Sequence, residues 1–218
     1  MTKELQKRIF TSFILTSVLL ICLFLNKFSW LILVIIASII SFLEFNNLVN
    51  KIWKKKKYSK YFINIICFFY LLLFIYSANE LYNQGLELTL FVLLVCIFSD
   101  IGGYIVGKTI GGKKLNKISP NKTISGSIGS FLFSIIPIFI YNIYDTNKYP
   151  IIIEMVLLTQ LVSLSCQIGD LLISYFKRKA KVKDTGSILP GHGGMLDRID
   201  GIVFGLPIFI TSVIFLNL

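Results

Sequence analysis

Long apolar runs alternate with short polar segments along most of the chain. Several of these runs approach or exceed the roughly 18 residues that an α-helix needs to cross a bilayer. We therefore expect an all-α fold, that of a polytopic integral membrane protein with about seven transmembrane helices. The predicted spans cover residues 9–26, 29–47, 61–78, 88–107, 128–144, 150–176 and 201–217.

The composition agrees with a membrane protein and excludes an ordinary soluble domain. Of the 218 residues, 55% are hydrophobic and 15% are charged, whereas charged residues make up about 25% of a typical soluble domain. The four cysteines each lie inside an apolar run and show no C-x-x-C spacing. Neither a disulfide framework nor a zinc site is therefore indicated.

The basic residues are distributed unevenly between the loops. The formal net charge is +11, and all but two of the 22 Lys and Arg residues fall on one side of the predicted spans. The positive-inside rule assigns that side to the cytoplasm. We expect a multi-pass protein of the inner (cytoplasmic) membrane with a cytoplasmic N-terminus. The same basic clusters attract anionic lipid headgroups, so membrane lipids are expected partners and nucleic acid is not.

Four aspartates lie near the cytoplasmic ends of the predicted spans. Asp100 and Asp170 are near the ends of the fourth and sixth spans, and Asp197 and Asp200 are at the start of the seventh. An ionisable residue inside a span costs about 2.5–3.5 kcal/mol of insertion free energy, so each needs a partner or a function. Their common depth predicts one cytoplasm-facing active site. Glu44, near the end of the second span, has no role that the sequence indicates.

The segment "GDLLISYFKR" carries polar residues at helical spacing. Asp170, Ser174, Lys177 and Arg178 stand at i, i+4, i+7 and i+8, which is one face of a helix. A carboxylate, a hydroxyl and two cations on one face can hold a metal ion and the phosphates bound to it. The alternative is an intrahelical ion pair, with the two cations extending to the membrane interface.

The segment "GMLDRID" holds Asp197 and Asp200 three residues apart. They share one face of a helix if that helix starts near Gly194. Like charges this close repel each other unless a cation lies between them, and hard oxygen ligands suit Mg²⁺. Alternatively, both acids cap the start of the helix, where the helix dipole favours negative charge, with Arg198 as counter-ion.

Two glycine-rich loops are candidates for binding anions. The turn "PGHGG" needs close backbone approach, and the N–H groups of such a turn can surround an anion. Within it, His192 can donate to a phosphate or act as an acid or base, or it is a structural hydrogen-bonding residue. The loop "KTIGGKKLNKISPNKTISGS" offers Ser119, Lys122 and Thr123 for phosphate. A patch for anionic lipids explains its lysines equally well.

The chemistry-bearing residues lie in the second half of the chain. We expect residues 1–90 to form N-terminal transmembrane helices with a basic cytoplasmic loop. Residues 91–218 are expected to form the catalytic transmembrane region, with cytoplasmic loops 108–127 and 177–200. In this region small residues recur every four positions, which is typical of closely packed helices. These residues are Ser99, Gly103, Gly107 and Gly111.

The run from Ser174 to Asp200 resembles the signature of the phosphatidate cytidylyltransferases, the CDP-diacylglycerol synthases. The matching positions are Ser174, Lys177-Arg178, Lys183-Asp184, Pro190-Gly191-His192-Gly193-Gly194 and Asp197-Arg198-Ile199-Asp200. The stretches "SDIGGYIVGK" and "SPNKTISG" resemble two further segments of that family. Their matching positions are Asp100, Gly103, Tyr104 and Gly107, and Ser119, Pro120, Lys122 and Thr123.

This resemblance implies a CTP-dependent nucleotidyltransferase of phospholipid biosynthesis, in which CTP and phosphatidic acid give CDP-diacylglycerol and pyrophosphate. It implies that the lipid phosphate attacks the α-phosphorus of CTP with the help of Mg²⁺, and also a K⁺ ion and a homodimer. On this pattern, Asp170, Asp197 and Asp200 hold the metal, and Lys177 and Arg178 bind phosphate oxygens. The substrate-binding residues are then Ser119, Lys122, Ser174, Lys183, His192 and Gly193.

The sequence also departs from the family pattern. Ser125 stands where family members commonly have Glu or Gln, and Gly201 stands where they have Ser. From the length of the chain we also expect it to have about two fewer N-terminal spans than family members. Three alternative functions are compatible with the residues. They are a CTP-dependent kinase of polyprenol or phytol, a channel or transporter with an anion site, and an inactive homologue.

Overall fold

The computed structural model describes residues 3–116, 119, 122–144, 152–191 and 193–216. Within these residues the chain forms α-helices and two isolated β-bridges, with no strand, which confirms the all-α prediction. The helices of the described residues are α1 (Lys3–Leu25), α2 (Lys27–Ile52), α3 (Lys57–Gln84), α4 (Leu86–Thr109), α5 (Ile124–Phe133), α6 (Ile136–Tyr144), α7 (Ile152–Lys179) and α8 (Leu196–Leu216).

Seven segments of the described chain are long and apolar enough to cross a membrane, which confirms the predicted number. The protein is therefore a multi-pass membrane protein. Most predicted boundaries agree with these segments to within a few residues. The segments are Gln6–Leu25, Lys27–Ile52, Lys57–Gln84, Leu86–Thr109, Ile124–Tyr141, Ile153–Lys179 and Leu196–Leu216.

The fifth segment differs from the prediction because it is two helices rather than one. Helix α5 ends at Phe133 and α6 begins at Ile136. Between them, the Ile135 N–H donates to the Leu132 carbonyl and the Ile138 N–H to the Ile135 carbonyl, at 3.4 and 3.0 Å. Pro137 causes this break, because proline has no N–H and its ring clashes with the carbonyl four residues earlier.

Contacts divide the chain into two compact units, of which the first contains Met1–Asn79 and Tyr175–Ile199. Its core packs α2 against α3 and the end of α7. The Trp30 indole N–H donates to the Ala78 carbonyl at 3.0 Å. The rings of Phe45 and Phe176 meet edge to face with centroids 4.9 Å apart. These contacts fix the end of α7 beside α2.

The second unit contains Glu80–Ser174 and Asp200–Leu218. Phe91 lies at its centre, with ring centroids 5.2 Å from Tyr141 and 6.4 Å from Phe209. A buried hydrogen bond of 2.8 Å joins the hydroxyls of Ser99 and Ser163. Aromatic packing thus centres this unit, and a pair of small polar residues connects α4 to α7.

Helices α4 and α5 approach each other through small residues. A Cβ added at Gly102 would lie 2.5 Å from the Phe133 Cβ, and one added at Gly103 would lie 2.5 Å from the Ser130 Oγ. A Cβ added at Gly107 would lie 3.3 Å from the Gly126 Cα. The predicted close packing is therefore confirmed for Gly103 and Gly107, because a side chain at either position would require its neighbours to shift.

Gly111, the last member of the predicted small-residue row, was placed wrongly in that interface. It lies beyond the end of α4 at Thr109, and nothing is within 4 Å of where its Cβ would be. Its φ of +63° is instead the left-handed conformation that ends a helix.

The two compact units are defined by contacts between residues and not by function. The predicted functional division into residues 1–90 and 91–218 therefore stays a prediction.

We expect Gly102→Val to destabilise the second unit. The added side chain would overlap Phe133 of α5, and overpacking of this kind typically costs about 1–3 kcal/mol of unfolding free energy. Thermal unfolding of the detergent-solubilised protein measures the effect. Ile101→Val, at the adjacent lipid-exposed position of α4, is the matched control. Equal unfolding temperatures for the two variants would contradict the close α4–α5 contact.

Candidate functional site

The loop between α7 and α8 closes around the carboxylate of Asp197. One oxygen accepts a hydrogen bond from the Lys177 Nζ at 2.7 Å. The other accepts from the backbone N–H of Thr185 at 2.7 Å and of Gly194 at 3.0 Å. The Asp197 side chain is 5% exposed. Asp197 therefore joins the end of α7, the loop and the first turn of α8.

A second buried carboxylate, that of Glu44, reaches the same place from α2. It is 3% exposed and accepts the backbone N–H groups of Met195 at 3.0 Å and Leu196 at 2.9 Å. These N–H groups begin α8 and have no partner within the helix. The helix dipole there favours a negative charge. Glu44 thus acts as a cap supplied by another helix, a role that no pattern in the sequence indicates.

The Thr185 hydroxyl lies between the two carboxylates. Its Oγ1 is 2.9 Å from Glu44 Oε2 and 2.9 Å from Asp197 Oδ2. A hydroxyl carries one hydrogen, so it donates to one carboxylate at a time. Thr185 is buried, and it therefore couples the two acids directly.

Two glycines of the loop leave room for the Glu44 side chain. A Cβ at Gly186 would lie 2.5 Å from Glu44 Oε1, and one at Gly194 would lie 2.7 Å from the Glu44 carboxyl carbon. Gly193, a predicted substrate-binding residue, has φ of +84°, and its Cβ would lie 3.0 Å from Asp197 Oδ2. Some of the glycines in this loop are therefore needed to leave room for the two carboxylates.

The tip of the loop is a tight turn, in which the Leu189 N–H donates to the Gly193 carbonyl at 3.0 Å. His192 lies outside the described residues, so its predicted substrate contact stays a prediction. Lys183 lines a cavity beside this turn, together with Arg8 and Arg198. Arg178 lies exposed at the end of α7. The first unit thus holds most of the predicted cations.

The second unit contains a separate polar cavity of about 330 Å³. It brings together three predicted site residues, Ser119, Lys122 and Asp170, and adds Asp100. Lys122 forms an ion pair with Asp170. The Ser174 hydroxyl donates to the other Asp170 oxygen at 3.3 Å, so Ser174 holds this carboxylate from the next turn of α7.

Backbone hydrogen bonds set the position of Lys122. The Leu115 N–H donates to the Lys122 carbonyl at 2.8 Å, and the Ile124 N–H donates to the Lys113 carbonyl at 3.0 Å. Ser125, which departs from the family pattern, donates its hydroxyl hydrogen to the Gly111 carbonyl. These bonds join the two ends of the loop and hold Lys122 in the lining of the cavity.

The carboxylates differ in their availability to a metal ion. Both oxygens of Asp197 and both oxygens of Asp170 have donors. The Asp197 side chain is 5% exposed, whereas that of Asp170 is 35% exposed and faces one cavity with Asp100. Mg²⁺ typically binds through one or two carboxylates and substrate phosphates, so that pair fits it. Asp200 accepts the Gly201 N–H at 2.9 Å. Among the described residues no three His, Cys, Asp or Glu side chains are grouped closely enough to hold a metal, and the predicted three-aspartate set stays a prediction.

Comparison with known proteins assigns most of these residues to one family. The model of the cytidylyltransferase family matches residues 48–216. The phosphatidate cytidylyltransferase of Staphylococcus haemolyticus (strain JCSC1435) is 46% identical over 128 residues, which are 58% of this chain and 48% of the relative. That of Staphylococcus aureus (strain COL) is 45% identical over 131 residues, which are 59% of this chain and 50% of the relative. The chain spans about half the length of the curated relatives it matches.

We expect Glu44→Ala to loosen the loop between α7 and α8. The substitution leaves the backbone N–H groups of Met195 and Leu196 without their acceptor, and loss of an acceptor at a buried donor such as Leu196 costs about 1–3 kcal/mol. The variant should unfold at a lower temperature, and trypsin should cleave faster after Lys181 and Lys183. Glu87→Ala, which removes an exposed carboxylate from α4, is the control. Unchanged cleavage in Glu44→Ala would show that the loop does not depend on this acid.

Proposed function

Because the chain belongs to the cytidylyltransferase family, we propose that it transfers the cytidylyl group of CTP to phosphatidic acid. The products are CDP-diacylglycerol and pyrophosphate. The observation that carries this proposal is the 43–46% identity to relatives named phosphatidate cytidylyltransferase, combined with the polar cavity that gathers Ser119, Lys122 and Asp170.

In the proposed reaction, a phosphate oxygen of phosphatidic acid attacks the α-phosphorus of CTP and forms a new P–O bond. The bond from the α-phosphorus to the oxygen bridging it to the β-phosphorus breaks, and pyrophosphate leaves with the electron pair. The attacking atom belongs to the substrate. The work of the protein is therefore positioning and charge neutralisation, which dominate phosphoryl-transfer catalysis.

Within this proposal, Lys122 and Ser119 bind phosphate oxygens in the cavity of the second unit. Asp170 holds the Lys122 ammonium there, and Ser174 holds Asp170. A phosphate that enters the cavity meets an ammonium group already in place. Lys177 has a different task, because its ammonium group is held by Asp197 at 2.7 Å and fixes the loop that carries Lys183 and Gly193.

A magnesium ion would be held by Asp170 with Asp100, and by Asp200 on the family pattern. Bound with the nucleotide, it would neutralise charge that develops as pyrophosphate leaves. The carboxylates that share the cavity support this assignment. A potassium ion and a homodimer are proposed on the family resemblance alone.

We further propose that the basic loops and the active site face the cytoplasm. The positive-inside distribution supports this orientation, since all but two of the 22 basic residues lie on one side of the spans. CTP would then reach the protein from the cytosol, and phosphatidic acid would arrive from the adjacent leaflet.

We expect purified protein in detergent to incorporate label from α-labelled CTP into lipid when Mg²⁺ and phosphatidic acid are present. Pyrophosphate should appear in equal amount, and EDTA should abolish both products. A parallel reaction with a polyprenol and γ-labelled CTP tests the kinase alternative. Label in the polyprenol and none in phosphatidic acid would contradict the proposal.

We expect Asp170→Asn to reduce turnover by at least about a hundredfold, because it removes a charge that holds Lys122 and fits a magnesium ion. Membrane insertion should be unchanged, as judged by yield and by elution from a sizing column in detergent. Glu87→Gln, which changes an exposed acid of α4, should retain normal turnover. Normal turnover in Asp170→Asn would remove Asp170 from the site.

A further inference from the structure

A cavity of about 590 Å³ in the first unit is lined by cations from three separate segments. Arg8 comes from α1, Lys183 from the loop and Arg198 from the first turn of α8. Asp184 is the acidic residue in its lining. The formal charge of the lining is therefore positive, and the cavity is suited to an anion.

Contacts between α1 and the loop tip hold Arg8 at this cavity. The Thr11 hydroxyl, one turn after Arg8, lies 2.9 Å from the Pro190 carbonyl and 2.8 Å from the Lys7 carbonyl. Gly191 has φ of +77°, and a Cβ on it would lie 3.2 Å from the Arg8 Cγ. The turn therefore packs directly on the Arg8 stem, which fixes where the guanidinium group starts.

The remaining lining fits phosphate better than an acyl chain. Gly191 and Gly193 bring the backbone to the cavity surface, and Ser187 adds a hydroxyl. Backbone N–H groups in glycine turns, hydroxyls and cations are typical donors to phosphate oxygens. Arginine supplies two parallel donors that match a phosphate group. The cavity volume lies within the range of about 300–1,000 Å³ that small-molecule sites occupy.

We propose that this cavity binds a phosphate group of a substrate and that Arg8 is one of its ligands. The proposal rests on the proposed function, since both CTP and phosphatidic acid present phosphates. It assigns a substrate contact to α1, which precedes the residues 48–216 matched by the family model. Arg8 otherwise has only the topological role that the positive-inside rule gives it.

The test compares Arg8→Gln, Arg8→Lys and Lys7→Gln. Lys7→Gln removes the same charge at the adjacent position of α1, whose side chain does not line the cavity. Thermal unfolding in detergent is measured with increasing inorganic pyrophosphate, with CTP, and with short-chain phosphatidic acid, each in EDTA to prevent turnover. Steady-state KM values for CTP and for phosphatidic acid are measured separately with Mg²⁺.

Loss of one charge-assisted contact weakens binding by roughly ten- to a hundredfold. We expect Arg8→Gln to show that loss for pyrophosphate and a matching rise in one KM, with kcat changed less than KM. Arg8→Lys should recover part of the lost affinity for pyrophosphate, and Lys7→Gln should resemble the wild type. A rise in the KM for CTP identifies the nucleotide as the source of the phosphate, and a rise in that for phosphatidic acid identifies the lipid.

Two results would overturn the proposal. One is an Arg8→Gln variant that matches Lys7→Gln in pyrophosphate stabilisation and in both KM values. The other is an equal loss in both variants, which would indicate a general effect of surface charge. If the wild type fails to turn over CTP, the pyrophosphate titration still decides, because it requires binding and not catalysis. Unfolding temperatures without ligand identify any variant that is misfolded, and Arg8→Lys then supplies the comparison.

Discussion

The buried carboxylate of Asp197 is the interaction on which the α7–α8 loop depends. It receives donors from the end of α7, from Thr185 within the loop and from Gly194 just before α8. A carboxylate that is almost fully buried is stable only when such donors and a cation replace its hydration. The surrounding segments are therefore constrained to the positions that satisfy this acid.

Glu44 extends that constraint to a different part of the chain. It caps the start of α8 from α2, and it shares the Thr185 hydroxyl with Asp197. Two carboxylates so close repel each other, and each is stabilised by its own donors. Lys177 neutralises Asp197, while the helix start accommodates Glu44. Hydrogen bonds from both carboxylates thus hold the loop to α2, to the end of α7 and to the start of α8.

The second unit is stabilised by different interactions, which are close contacts between helices. Glycines let the backbones of α4 and α5 approach closely, so packing supplies the stability where the bilayer provides no hydrophobic drive between helices. Polar residues of the same unit gather in one cavity, with Lys122 paired to Asp170. Charged groups inside a membrane protein are stabilised by such pairing.

Hydropathy alone was sufficient to predict the all-α class and the seven spans, because only long apolar helices satisfy their backbone within a bilayer. It missed the break before Pro137, because averaging over a long window does not register one residue without an N–H. The family resemblance named Ser119, Lys122 and Asp170 as site residues, and the structure places all three in the lining of one cavity. It offered no signal for Glu44 beyond the presence of an acid in an apolar span, or for Arg8 beyond its positive charge.

The sequence by itself determined the membrane class, the number of spans and the family, because these depend on local composition and on spacing along the chain. Only the tertiary structure decided which carboxylates organise the loop and which face a cavity. Glu44 lies 141 residues from Thr185 and 152 from Leu196. Hydrogen bonds across such separations depend on how the helices pack, and no local pattern specifies them.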